Sequence, residues 1–444
     1  MGLGRAPLAS TGLQGRLIRR VPAWIALAVL LVVGLNYSLW WPGWAHNNPA
    51  AWAAPADLWG TYLASANLVH GHFDQIYIAR TGLETFPGVL VLMAPMTALG
   101  SAMHLELGPN LAAFSKPTGW VLAGPYMLVL SSVVLFAADA LAERLAVPRG
   151  RRVALALVEA ALLFNVTIRW GHPEDAVALG LVLYAALDAD RGRWTRAAWL
   201  IGVAICVQPF ALIALPALFA RLDWRRIGRL VLPVVVPSVV VLAGPLIASW
   251  HATVHILVDQ PNYPNFNHPT PWTSLLTPLR QQFVAVPSGP GRIIAIALAF
   301  VVGIAVCRRR YRLEVVVAVI GLGILFRLLG ESVLDSFYSW PLLAVGVLLA
   351  ARRGPWRLAA VSTVALFATW FSNVQWRGVW PWWSVLMLIL AAVLALGWPE
   401  RSSFAPVVPG ADRAPGSVAG SADDETPAPT PTTGAGATTG IVDQ

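Results

Sequence analysis

The sequence predicts an all-α, polytopic membrane protein of about ten to thirteen spanning or re-entrant helices with two larger outer loops. Three observations predict it. The 444 residues are 57% hydrophobic and 12% charged. Mean hydropathy is +0.64, which excludes an ordinary soluble domain. Apolar runs long enough to span recur along the chain. Between them the arginines cluster at residues 16–20, 144–152, 191–196, 221–229, 308–312 and 352–357. That is the positive-inside signature of cytoplasmic loops, so the net charge of +9 reports topology and not a nucleic-acid partner. Cys206 and Cys307 fall in apolar runs near basic ends and point to neither a disulfide nor a metal site.

Each element follows in order. Residues 1–21 form a cytoplasmic N-terminus with no cleavable signal, and the run 22–41 crosses outward, anchored by Trp40, Trp41 and Trp44. Residues 42–86 make the first outer loop. The run 87–103 carries Pro87 and Pro95. Loop-charge parity reads it as a re-entrant or interfacial element, with a bent span as the alternative. Residues 120–141 return to the basic loop. Residues 153–168 cross outward to RWGHPED, residues 169–175, and 176–188 come back. The run 197–219 starts and ends beside arginines and is broken at Gln208-Pro209, as a hairpin of two half-helices would be. Residues 230–249 cross to a second outer loop, 250–291. Spans follow at 292–307, 313–330, 338–351, 357–372 and 381–398, which closes a membrane domain over 22–398. Residues 399–444, rich in Pro, Ala, Gly, Thr and Ser, read as a disordered cytoplasmic tail.

On this topology the unusual polar residues collect on the outer side, in four loops that one shared cavity would unite. The first loop, DLWGTYLASANLVHGHFDQIY at 57–77, holds Asp57, His70, His72 and Asp74. Leu58, Tyr62, Ala66 and Val69 space as a helix face, with Asp57 at its N-cap. The second holds Arg169, His172, Glu174 and Asp175. The third holds Asp259, several asparagines and His268. The fourth holds Arg327, Glu331, Asp335 and Tyr338. Each has a plain reading beside a functional one. Asp57 is a helix cap or a catalytic base. Glu174 and Asp175 follow Pro173 and charge a helix start, or they bind a ligand. Arg327 pairs with Glu331 four residues on, or faces the cavity. His70 and His72 lack a fixed third ligand, so they favour interfacial hydrogen bonding over metal.

Several of these strings carry a resemblance. An aspartate after the first span, a segment ending in G-x-F-x-x-I-Y and a Pro-containing run resemble the first outer loop of the GT-C membrane glycosyltransferases. GHPEDAVALGLVLYAALDADRGRWTRAAWLIGVAICVQPFALIALPALFARLDWRR, NHPTPWTSL and ESVLDSFYSWPLL extend the similarity over roughly residues 20–350. The resemblance is closest to glycosyltransferase family 87, the polyprenyl-phosphate-mannose-dependent mannosyltransferases of actinobacteria. It implies a GT-C fold in the cell membrane and inverting transfer of a sugar, mannose in that family. The donor would be a polyprenyl phosphate and the acceptor a cell-envelope lipid or glycan, with no cofactor. The base would be Asp57. Cations near the boundary, from Arg169, His172, His268 and Arg327, would meet the lipid phosphate. The chain departs from the family pattern at His172 and His268, where glutamine is usual, at Gln208, where lysine is frequent, and in lacking paired histidines before the late span. Two other classes stay open: a polytopic transporter, and a non-catalytic envelope-assembly protein on the same fold.

Overall fold

The computed structural model describes residues 13–40, 56–78, 83, 85–105, 120–259, 270–272, 289–309, 312–374 and 379–404. Among them every regular element is a helix. Helices α1 (Leu13–Arg19) and α2 (Val21–Trp40) open the chain, and α3 (Ala56–Val69) and α4 (Gly88–Ala102) follow. Next come α5 (Trp120–Arg144) and α6 (Arg149–Phe164), which runs on as a π turn, Asn165–Trp170. Then come α7 (Pro173–Asp190), α8 (Trp194–Val207), a 3-10 turn (Pro209–Ile213) with α9 (Ala214–Phe219), α10 (Trp224–Ala248) and α11 (Trp250–Asp259). The chain ends with α12 (Gly289–Cys307), α13 (Leu313–Gly330), α14 (Trp340–Arg353), α15 (Pro355–Ser372) and α16 (Val379–Gly397).

Among the described residues, six helices are long and apolar enough to cross a membrane: Leu122–Arg144, Arg149–Trp170, Trp224–Ala248, Gly289–Cys307, Leu313–Gly330 and Trp380–Gly397. The architecture is that of an all-α polytopic membrane protein. Helix α2, the first expected span, is apolar and uncharged over 20 residues; the remaining expected spans are shorter or carry charge. Helix α14 has 14 residues, about 21 Å against a hydrocarbon core of about 30 Å. Every residue from Trp340 to Ala351 in it is buried, so protein surrounds it and lipid thickness does not set its length. Helices α10 and α12 are the opposite case. Leu232, Val240, Ile293 and Val301 on them are largely exposed, as apolar side chains facing lipid would be.

Ion pairs gather one set of helix ends. Arg20, at the start of α2, donates to Asp139 of α5 at 2.8 Å, and Arg152 of α6 reaches the same carboxylate at 2.7 Å. Arg144 pairs with Asp190 at 2.8 Å and Arg196 with Asp188 at 2.9 Å. Arg151 donates to the Ala351 carbonyl at 2.8 Å. These contacts bring Arg20, Arg144, Arg151, Arg152 and Arg196 to one end of the bundle.

The break at Gln208 makes the hairpin that the sequence predicts. Gln208 is extended (φ −150°, ψ 116°) between α8 and the 3-10 turn. The two feet of the hairpin meet: the Trp194 and Phe219 rings lie 6.4 Å apart. Arg221 stacks on Trp194 at 4.6 Å and donates to the Ala189 carbonyl at 2.9 Å. The tip therefore points away from the basic end.

Helix α4 is one continuous 15-residue helix through Pro95. It packs on α3 in a small apolar cluster with Leu58, Tyr62, Met93 and Met96, apart from the main core. Its first residue must be glycine, because a Cβ at Gly88 would strike the Cys206 carbonyl near the hairpin tip. Its length falls short of a full crossing.

The expected tail boundary at 399 needs correction. The chain stays packed through a 3-10 turn, Arg401–Phe404. Glu400 pairs with Arg353, Ser403 donates to Glu314, and Trp398 stacks on Phe404 at 6.2 Å. Residues 405–444 lie outside the described residues.

Candidate functional site

The π turn ending α6 sets the site. Its last turn closes at Gly171, whose left-handed backbone (φ 83°) suits glycine. His172 follows in a non-helical conformation, and Pro173 starts α7. The G-H-P string therefore turns the chain sharply and leaves the imidazole between helices. Asn373 on α15 donates to Asn165 at 3.3 Å, and Ser336 donates to Asn373 at 2.9 Å. That link fixes the 3-10 turn Ser336–Ser339, so Phe337 lies flat under His172, with ring centroids 3.9 Å apart.

His172 bridges two carboxylates from different parts of the chain. Its Nδ1 lies 2.6 Å from Glu174 Oε1 and its Nε2 lies 3.1 Å from Asp57 Oδ2. Burial opposes charge on the ring, and the Glu174 and Asp57 carboxylates outweigh it. They hold the His172 pKa well above its ordinary value. In its protonated form the ring can donate to both acids. Among the described residues, Glu174 Oε2 is buried without a hydrogen-bond partner. Asp57 is 41% exposed. One of its oxygens meets His172 while the side chain stays open to a visitor.

Asp57 needs one correction. Helix α3 begins at Ala56, so Asp57 stands inside the first turn and not at the N-cap. Its carboxylate meets His172, a long-range partner that helix periodicity does not register.

Asp175 and the hairpin tip form a second strand of contacts. Gln208 Nε2 donates to Asp175 Oδ1 at 2.9 Å, and the Thr85 hydroxyl donates to Gln208 Oε1 at 3.2 Å. The break in the 197–219 run thus delivers a polar residue to the site.

A third group lies beside them. Glu331, 0% exposed, accepts from Arg327 at 2.8 Å and from Arg292 at 2.6 Å. Burial alone would raise its pKa, but the two guanidiniums outweigh this and lower it. The Arg327 guanidinium stands 5.2 Å over the Tyr338 ring and 5.7 Å over Phe210 beyond the hairpin tip. Tyr338 meets Phe337 edge-on at 4.7 Å, which ties this group to His172. The segment between α11 and α12 joins through Trp272, which donates to the Leu329 carbonyl at 2.6 Å, and Thr270, which donates to that of Ser332 at 3.1 Å.

The structure thus brings Asp57, His172, Glu174, Asp175, Arg327, Glu331 and Tyr338 to one end of the bundle. Arg169 lies on the adjoining π turn, half-buried. It does not bring in His70, His72 or Asp74. Helix α3 carries the chain from Ala56 to Val69, so its far end stands about 20 Å from Asp57 along the axis at 1.5 Å per residue. There His70 is exposed and bonds to the Ala66 carbonyl at 2.8 Å, the two histidine rings lie 6.2 Å apart, and Asp74 is exposed. His268, with the 260–267 stretch, lies outside the described residues. Among the described residues no three His, Cys, Asp or Glu side chains are placed to hold a metal ion.

Sequence reasoning missed Arg292, Thr85 and Phe337 and gave Gln208 no role. Two signals were present. Arg292 starts a span at the end that the arginine clusters otherwise leave bare, and Gln208 sits at the helix break itself. No protein-family model matches the chain, and no curated protein matches it.

Proposed function

We propose that the protein is an inverting membrane glycosyltransferase with Asp57 as its base. It moves a sugar, mannose by the resemblance to family 87, from a polyprenyl phosphate to a cell-envelope lipid or glycan. The reaction runs on the outer face of the cell membrane, with both termini cytoplasmic. The observation that carries the reading is the Asp57–His172–Glu174 set, with its anchored imidazole and one carboxylate left open.

An acceptor hydroxyl is a poor nucleophile until its proton is taken. Asp57 takes that proton while the acceptor oxygen bonds to the anomeric carbon. The bond from that carbon to the phosphate oxygen breaks, and its electron pair leaves with the lipid phosphate. Glu174 holds His172 in place, and His172 orients the Asp57 carboxylate. Arg327, steadied by Glu331 and by the aromatic faces, offers positive charge to the departing phosphate. The unpartnered Glu174 Oε2 is an acceptor that a sugar hydroxyl would satisfy.

The test is a reconstituted assay. Purified protein in proteoliposomes receives labelled polyprenyl-phosphate-mannose and a lipid extract from the source membrane. Label appearing in a new glycolipid or glycan, with release of polyprenyl phosphate, is the expected result. A second reading, a proton-coupled transporter, rests on Glu159, a fully buried carboxyl in α6 with neither oxygen hydrogen-bonded. Proton-driven solute uptake without label transfer would favour it.

A further inference from the structure

We propose, resting on the glycosyltransferase reading above, that Arg292 is a second phosphate-binding residue and acts with Arg327 on the phosphate of the lipid donor. Arg292 comes from the first turn of α12 and Arg327 from the last turn of α13. They meet on one carboxylate. Arg292 donates to Glu331 Oε2 through Nη2 at 2.6 Å and through Nε at 3.1 Å. Arg327 donates to Oε1 of the same group through Nε at 2.8 Å. Two hydrogen bonds and the width of one carboxylate keep the bonded nitrogens within about 8 Å of each other. Two oxygens of a single phosphate can bridge such a gap, as those of Glu331 do.

Three observations favour a ligand contact over a bridge that serves only the fold. Glu331 is 0% exposed, whereas Arg292 and Arg327 are 16% and 14% exposed. An anion arriving from outside therefore meets guanidinium before carboxylate. Each guanidinium carries five N–H donors, and Glu331 takes two from Arg292 and one from Arg327. Secondly, the helices do not depend on the bridge for their contact. A Cβ at Gly291 would strike the Gly330 carbonyl, and one at Gly330 would strike that of Gly291, so α12 and α13 touch backbone to backbone. The Trp272 ring lies against Gly291 and its N–H is tied to the Leu329 carbonyl at 2.6 Å. That seat fixes where Arg292 leaves the helix. Thirdly, both guanidiniums act electrostatically on Tyr338, whose ring meets Phe337 beneath His172. Arg292 thus stands at the same end of the bundle as Asp57.

Calorimetric titration of the purified full-length protein with farnesyl phosphate, a short polyprenyl phosphate, and with farnesol, the same chain without the charge, tests the proposal. Wild type should prefer farnesyl phosphate. Arg292→Gln should weaken its binding about tenfold or more, by the loss of a charged hydrogen bond, and leave farnesol unchanged. Arg292→Lys keeps a cation beside Glu331 and loses the planar fork, so it should fold and fall between the two. Arg327→Gln is the reference for a lost phosphate contact. Equal loss of both ligands in the Arg292 variants would mean a purely structural role and overturn the proposal. Full preference for the phosphate in either folded Arg292 variant would overturn it too; with the loss present in Arg327→Gln, the glycosyltransferase reading would still stand. A wild type that binds the two ligands equally would overturn the proposal together with the phosphate site of that reading.

Discussion

The two ends of the bundle use the same side-chain chemistry to different ends. At the basic end Asp139, 1% exposed, is enclosed by Arg20 and Arg152, and its oxygens accept three hydrogen bonds. At the opposite end Asp57 is 41% exposed and, among the described residues, meets His172, while Glu174 keeps a buried oxygen that finds no partner among them. A closed network holds helices together, because every donor and acceptor in it is spent on the fold. An open one has capacity left for a ligand. Burial of charge alone therefore does not mark a site; unspent valence beside buried charge does.

The largest effect expected from this contrast is at the closed end. Asp139→Ala leaves two guanidiniums facing each other with their carboxylate gone. It should cost about 3–5 kcal/mol of stability, read as a large fall in thermal midpoint in detergent. A variant that melts within a degree or two of wild type would break the contrast.

The next effect is pH-dependent and belongs to His172. Its folded pKa is raised above the ordinary 6.5. Its stabilising contribution is therefore fully present below about pH 6.5 and is lost as pH rises through the folded value. Wild type should lose thermal stability as pH rises above about 6.5 to a degree that His172→Gln does not. Parallel pH profiles would mean that His172 is not an imidazolium held by two acids.

The smallest effect is at the far end of α3. His70→Ala and His72→Ala should each change stability by no more than about 0.5 kcal/mol, as at most exposed positions, and leave transfer unchanged. A loss of transfer would bring the 70–74 segment back into the site.

How much of this was legible varies with range. The hairpin was readable, because arginines flank both ends of an apolar run interrupted by Gln208-Pro209. Glu174 beside His172 was readable at two residues' distance. Asp57 with His172 was not readable from spacing, since they are 115 positions apart. Only a resemblance or a count of outer-side polar groups could place them together. His70 and His72 shared a loop with Asp57 in sequence, but a 14-residue helix carries its two ends to different places. The tail boundary failed because Glu314 and Arg353, on distant helices, hold residues that composition alone marks as disordered.

The central claim is that Asp57 takes a proton. Asp57→Asn keeps the shape and a polar atom for His172, and removes the basic carboxylate. The measurement is the rate of sugar transfer by purified Asp57→Asn in proteoliposomes, against wild type with the same thermal midpoint. A fall of roughly 10²-fold or more is predicted. Transfer at near wild-type rate by a folded Asp57→Asn protein would contradict the account.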